Sequence, residues 1–183
     1  LGIERMRTSR GALREGVIYD LMGRLSHEDV RERTVNALMQ RYAVDANTAD
    51  IVERRARTFY QATCVNWQLS AYDWDLLHWL SRTHEIGMAI AHKHFNRHSA
   101  YVLRNADLPG FSQEEQELLA VLALGQRGKL GADFFAEVAD NEMSRILYML
   151  TIIRLASCFK YVEILEQLPD FSIEAGDRSL ALA

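Results

Sequence analysis

The sequence predicts an all-α fold of about six to eight helices, with a short β-like segment near the C-terminal end. Apolar residues recur at helical spacing through most of the chain, capping signals precede several of those stretches, and the 183 residues include only two prolines. With 49% hydrophobic and 25% charged residues, the composition is typical of a globular protein rather than a disordered one.

The first half of the chain holds three stripes in which apolar residues are spaced three and four apart. Ser26, with Asp29 three residues later, is a predicted cap for the first stripe, and the Asp45/Asn47 cluster opens the second. The first stripe comprises Val35, Leu38, Met39 and Tyr42. The second comprises Ala49, Val52, Ala56, Phe59, Tyr60 and Thr63, and the third comprises Leu77, Leu80, His84 and Met88.

The second half begins with a clear helix start. Ser112 and Glu115 form a capping box directly after the breaker pair Pro109-Gly110, and Gly125 or Gly128 is predicted to end that helix. A last long helix is predicted from Met143, Ile146, Leu147, Leu150, Ile153 and Ser157. Alternating residues at 171–174 and 180–182, on either side of a Gly176-Asp177 turn, predict a hairpin in the final residues.

Composition excludes several functional classes. The net charge of −4 provides no global field for polyanions, so a phosphate-bearing partner must meet a local basic patch, and nucleic acid is not expected. No apolar run approaches the roughly 18 residues of a membrane span. Cys64 and Cys158 lie in apolar helical patterns and are predicted to be free core thiols, which favours a cytoplasmic protein. A chain that starts at Leu1 is expected to be a piece of something longer.

Four of the six histidines, His84, His92, His94 and His98, lie within fifteen positions. Imidazole is a common transition-metal ligand, and His94 and His98 are spaced to share a helix face, so a metal site with Glu85 and His92 is one interpretation. His84, however, lies on the same stripe as Leu77 and Leu80, which favours a hydrogen-bonded core histidine.

The same stretch also carries a cluster of cationic side chains. These side chains, Lys93, His94, Arg97, His98 and Arg104, suit contact with a phosphate-bearing ligand. A solvated helix face would give the same pattern. The chain contains no nucleophile motif and no glycine-rich phosphate loop.

Several segments together resemble the C-terminal half of the Ppx/GppA family, the bacterial exopolyphosphatases and guanosine pentaphosphate phosphatases. The segments are 1–6 (LGIERM), 11–21 (GALREGVIYDL), 29–35 (DVRERTV), 84–87 (HEIG), 98–105 (HSAYVLRN) and 107–112 (DLPGFS) with Glu115-Gln116. They span nearly the whole chain.

The resemblance implies an enzyme of two halves. An N-terminal pair of actin-like domains binds a divalent metal, expected to be Mg²⁺, and cleaves the terminal phosphate of polyphosphate, whereas the C-terminal half is helical and similar to HD-domain phosphohydrolases. Residues 1–20 then correspond to the end of the catalytic half and a connecting helix, 21–168 to the HD-like domain, and 169–183 to the truncated start of a small C-terminal unit. We expect no activity from this chain alone.

A working HD domain chelates metal through an early His, a His-Asp pair and a late Asp. Here the pair is His84-Glu85, in which the carboxylate is carried one methylene further out. Ile51 falls where the first His is expected, and Ser157 falls where the late Asp is expected. These positions therefore look like the degenerate remnant of a metal site, and no metal or cofactor is expected in this domain.

The resulting functional prediction is a domain that holds polyphosphate for an exopolyphosphatase and supports its processivity, its dimerisation, or both. The predicted contacts are Lys93, His94, Arg97, His98, Arg104, Arg127 and Lys129, with Arg14 and Arg24 as further candidates. Gln126 stands where the family resemblance leads us to expect a histidine. The expected partners are polyphosphate, the protein's own N-terminal domains and a second copy of the chain.

The sequence is also compatible with two other functions. The chain can instead be the corresponding half of a guanosine pentaphosphate phosphatase. It can also be a purely dimerising module, with large aromatic side chains at the interface in place of the core. Those side chains are Trp67, Tyr72, Trp74 and Trp79.

Overall fold

A computed structural model describes residues 30–136, 138–139, 141–160, 173–176 and 179–182, and within them it confirms the predicted all-α class with its short C-terminal β segment. The helices are α1 (Val30–Arg41), α2 (Ala46–Thr63), α3 (Ala71–Thr83), α4 (Phe95–Asn105), α5 (Gln113–Gly125), α6 (Ala132–Ala136) and α7 (Met143–Cys158). A short 3₁₀ helix, η1 (Ile86–Ala89), lies between α3 and α4. Strands β1 (Ile173–Gly176) and β2 (Ser179–Leu182) form an antiparallel hairpin.

The helix starts follow their capping residues. Asp45 caps α2 by accepting from the Asn47 backbone N–H at 3.2 Å. The predicted capping box of α5 is present, since Ser112 Oγ accepts from Glu115 N while Glu115 accepts from Ser112 N. The same helix ends at Gly125, the first of the two predicted ends. The cap predicted at Ser26 lies outside the described residues.

The core lies around helix α3, which packs against several other helices. Helix α3 contacts α1, α2, α5 and α7, so its apolar face is covered from several sides. Most of the large, fully buried side chains come from α3, α5 and α7, namely Leu76, Leu77, Leu80, Leu119, Leu122, Met149, Leu150, Ile152 and Ile153. No helix among the described residues is long and apolar enough to span a membrane.

The cysteine prediction is only partly right. Both thiols are free, but Cys64 is half-buried and Cys158 is exposed. Cys158 lies at the last position of α7, two residues beyond the buried Ala156, where the helix turns its side chain away from the core.

The third predicted stripe is interrupted. Helix α3 ends at Thr83, so Met88 lies in η1 and not on a continuous helix. The chain changes direction here because η1 packs directly on α4 at Gly87: a Cβ at this position would lie 2.1 Å from the Phe95 carbonyl oxygen. Only a glycine permits that approach.

Large aromatic residues mostly fill the core. Trp67 and Trp79 are buried, and Trp67 stacks on Tyr148 with ring centroids 4.6 Å apart. The Trp67 indole also donates to the Gly176 carbonyl at 2.8 Å, which ties the hairpin to the helices. Trp74 is half-buried against Tyr60. The dimerisation alternative places Trp67 and Trp79 at an interface, but both side chains are part of the core.

A candidate phosphate-binding cleft

A cleft of about 510 Å³ opens between the start of α4 and the loop that follows α5. One wall is the segment 92–97 and the other is the segment 127–131, with Leu124 and Phe134 beneath. We call it the basic cleft because six basic side chains line it: His92, Lys93, His94, Arg97, Arg127 and Lys129. Segments some thirty residues apart in sequence thus contribute to one surface.

The basic side chains of the cleft are available to a ligand. All six are exposed, and none forms an ion pair with a carboxylate elsewhere in the described part of the chain. The Arg127 guanidinium lies over the Phe95 ring, 5.3 Å from its centroid, which orients the side chain without neutralising it. Like charges held together without counter-ions favour binding of an anion that relieves their repulsion.

The start of α4 adds donors to the same wall. His94 is the N-cap residue but adopts a left-handed conformation (φ 59°, ψ 30°), and its side chain makes no capping hydrogen bond. The His94 side chain therefore accepts from no N–H of the first turn of α4, where the Arg97 N–H donates to the His94 carbonyl instead, and this turn lies at the positive end of the helix dipole. His94 is thus outside the helix, and the prediction that it shares a helix face with His98 is wrong.

The loop carrying Arg127 and Lys129 is held from beneath by three buried or half-buried polar side chains. Asn96 on α4 donates to the Leu124 carbonyl at 2.7 Å. Arg154 on α7 donates to the carbonyls of Gly125 and Gly128, at 2.8 Å and 2.9 Å. These bonds satisfy carbonyls at the end of α5 and fix the direction in which the loop leaves it.

Gln126, the third of these side chains, points into the protein. It is buried and donates to the carbonyls of His84 and Ala123, at 2.8 Å and 3.0 Å. The residue expected to be a histidine of the groove is therefore not a groove residue. Its neighbours Arg127 and Lys129 remain exposed in the cleft, so the substitution removes no cation from it.

Two of the predicted contacts lie elsewhere. His98 is half-buried and does not line the cleft; its Cβ faces Gly87. Arg104, at the far end of α4, forms a two-pronged ion pair with Glu117 of α5, at 2.9 Å and 2.6 Å. The path predicted from Lys93 to Arg104 is therefore interrupted, because Arg104 already has an acidic partner. Arg14 and Arg24 lie outside the described residues.

The His84-Glu85 pair lies at the corner between α3 and η1. His84 is 2% exposed, as predicted for a core histidine, and its Nδ1–H donates to the Ser81 carbonyl at 2.8 Å. Burial lowers the pKa of His84 below its ordinary value, so the ring is neutral. Glu85 forms an ion pair with Lys160, whose Nζ lies 2.5 Å from Glu85 Oε1.

The other two positions of the metal-site remnant supply no ligand. Ile51 lines a separate open depression with Asn47, Asp50, Glu53 and Arg54, and Ser157 contributes only a hydroxyl. Nowhere in the described residues do three or more His, Cys, Asp or Glu side chains form a group that could hold a metal ion. The residues present therefore do not fit the metal centre of a working HD domain.

Sequence reasoning missed some members of the cleft. The sequence suggests His92 only as a metal ligand, and it predicts neither Asn96 as a lining residue nor Arg154 as a support of the loop. The clustering of His92 with Lys93 and Arg97 was a usable signal. No local signal marks Arg154, which meets the loop only through the packing of α7 beneath α5.

Within the described residues, the chain is thus a helical domain with an exposed basic cleft on its surface. A family model described as Ppx/GppA phosphatase, domain III, matches residues 30–169. The chain belongs to the Ppx/GppA phosphatase family, which confirms the resemblance drawn from the sequence.

Curated relatives carry the comparison further. Proteins named guanosine-5'-triphosphate,3'-diphosphate pyrophosphatase are 34% identical over 185 residues in Pseudoalteromonas translucida, 35% over 184 in Photobacterium profundum and 32% over 183 in Aeromonas hydrophila. Each alignment covers 100% of this chain but only 36–37% of the relative. The chain therefore spans a little over a third of the length of these relatives.

Proposed function

We propose that this chain is the helical part of a phosphatase acting on guanosine pentaphosphate, and that its basic cleft binds the ligand's phosphate groups. The observation that carries the proposal is the set of six exposed basic side chains without acidic partners among the described residues. The names of the relatives favour guanosine pentaphosphate over inorganic polyphosphate. Polyphosphate remains the second candidate, because a row of cations does not discriminate between phosphate chains.

The chemistry assigned to the cleft is binding and positioning. Arg97 and Arg127 can each donate two parallel hydrogen bonds to a phosphate, while Lys93 and Lys129 act as compact charges. A ligand held here is retained close to the catalytic half of the parent protein, which raises its effective concentration there. The hydrolysis itself, and the divalent metal that serves it, belong in this proposal to that other half.

The proposal also carries two expectations about the parent. Both thiols of the described residues are free, which favours a cytoplasmic location. A homodimer remains part of the proposal, with a surface other than Trp67 and Trp79, because both are buried in the core.

Calorimetric titration of the chain with guanosine pentaphosphate, polyphosphate and GTP at low salt tests the proposal. Replacing two cleft cations, in Arg127→Gln/Lys129→Gln, is expected to weaken guanosine pentaphosphate binding about thirtyfold, since each lost charged contact contributes about 1 kcal/mol. The matched control is Arg33→Gln/Arg54→Gln, which removes the same charge from exposed arginines outside the cleft.

The control variant is expected to bind like the wild type. An equal loss of affinity in the two double variants would show that net charge alone drives binding, and would overturn the assignment of the cleft. Tighter binding of polyphosphate than of guanosine pentaphosphate would instead favour the second candidate ligand.

A further inference from the structure

Two hydrogen-bond acceptors approach each other inside the corner between α3 and η1. Because the Nδ1–H of His84 donates to Ser81, the other ring nitrogen, Nε2, carries a lone pair. This Nε2 is fully buried and has no hydrogen-bond partner in the described part of the chain. It lies 3.8 Å from Oε1 of Glu85, whose side chain is 13% exposed.

A neutral imidazole lone pair beside a carboxylate is an unfavourable pair when buried, because neither group can donate to the other. The arrangement becomes favourable when a cation is shared between them. Nitrogen and carboxylate oxygen together are also the donors that divalent transition metals accept.

The structure already supplies one cation. Lys160, two residues beyond the end of α7, is 14% exposed and places its Nζ 2.5 Å from Glu85 Oε1. The residues lie 75 positions apart in sequence, so the contact depends on the packing of α7 against the corner. The adjacent Ser157, whose carbonyl accepts from the Lys160 N–H, adds a buried hydroxyl without a hydrogen-bond partner in the described residues.

We propose that His84 and Glu85 are the two donors of a cation-binding site, and that the tethered ammonium of Lys160 blocks this site by pairing with Glu85 while Nε2 of His84 keeps no donor among the described residues. In this arrangement the lysine excludes a diffusible metal ion and fastens the end of α7 to the corner. Removing the lysine side chain then opens a site for a divalent transition-metal ion or for a small primary ammonium ion. The proposal does not depend on the ligand of the basic cleft.

Cobalt binding by tag-free protein tests this proposal, since Co²⁺ bound to protein ligands has visible absorption. We expect Lys160→Ala to bind Co²⁺ at least about tenfold more tightly than the wild type. The matched control is Lys160→Ala/Glu85→Gln, which retains every surface histidine but lacks the carboxylate. Binding by Lys160→Ala that is no tighter than in this control would overturn the proposal.

Thermal stability provides a second readout that remains informative if Lys160→Ala folds poorly. Ethylammonium chloride is expected to raise the melting temperature of Lys160→Ala, or to restore its folding, more than an equal concentration of tetramethylammonium chloride does. The wild type is expected to show no such difference. Equal effects of the two salts on the variant would contradict a site for a small ammonium ion.

Discussion

Two groups of charged side chains in this domain have opposite surroundings. The basic cleft holds exposed cations without acidic partners in the described part of the chain, whereas the interface of α1, α2 and α3 holds cations enclosed by acids. There His78 bridges two carboxylates, with Nε2 2.7 Å from Glu32 and Nδ1 3.0 Å from Glu53. Arg82 pairs with Glu53 and with Asp50. We call Glu32, Glu53, His78 and Arg82 the helix network.

The difference separates a structural use of charge from a binding use. In the helix network each cation forms ion pairs with carboxylates on neighbouring helices, and these pairs connect α1 and α2 to α3. In the cleft the cations are held near one another by backbone and aromatic contacts, and their charge stays available for a ligand. Variants in the network should therefore change stability, and variants in the cleft should change affinity.

The largest expected effect is on the network. His78→Ala leaves Glu32 without its imidazole partner and Glu53 with Arg82 alone, and we expect it to lower the free energy of unfolding by about 3 kcal/mol. Urea unfolding measures this change. Arg104→Ala, which breaks the more exposed pair with Glu117, is the control and should cost at most about 1 kcal/mol. Equal losses of unfolding free energy in the two variants would show that the helix network stabilises the fold no more than an exposed ion pair does.

Stability should also depend on pH through the same histidine. Hydrogen bonds and ion pairs to Glu32 and Glu53 overcome the effect of burial and raise the pKa of His78 to about 9 from its ordinary 6.5. A raised pKa in the folded state contributes stability that is complete below about pH 6.5 and is lost as the pH rises through about 9. Up to about 3 kcal/mol is therefore expected to disappear between these limits.

The measurement is urea unfolding at intervals between pH 6 and 10. His78→Gln is the control, and its profile should be flatter than that of the wild type by the same amount. Profiles that are identical for the two proteins would contradict the assigned pKa.

A smaller effect on both stability and affinity is expected at Arg154, which stabilises the loop that carries the cleft cation Arg127. Arg154→Met removes the donors to Gly125 and Gly128 but leaves every lining residue of the cleft in place. We expect stability to fall by about 1–2 kcal/mol and ligand affinity to fall about threefold, because the loop bearing Arg127 is less well ordered. Calorimetry and urea unfolding of the same protein separate the two changes. Unchanged affinity despite lost stability would show that Arg154 does not position the cleft.

Features of the fold that depend on neighbouring residues in the sequence could be predicted, whereas features that depend on contacts between distant segments could not. The capping box at Ser112 and the cap at Asp45 are local signals, and both were predicted correctly. The end of α3 at Thr83 was not, because it depends on the contact of Gly87 with α4, which no helical period encodes.

The same distinction applies to the candidate site. Clustering along the sequence identified Lys93 and Arg97, but it also selected Arg104, whose pairing with Glu117 exists only once α4 and α5 pack. The ion pair of Glu85 with Lys160 spans 75 positions and follows from the tertiary structure alone. Sequence spacing finds charged residues, whereas the fold determines which of them are neutralised.

The most direct measurement of the central claim is a titration of ¹⁵N-labelled protein with guanosine pentaphosphate, followed by the backbone amide signals. We predict that the largest shifts fall in the two walls of the basic cleft, residues 92–97 and 127–131, with little change around Glu32 and Glu53 of the helix network. Shifts concentrated outside the two walls, or no saturable shifts at low salt, would contradict it.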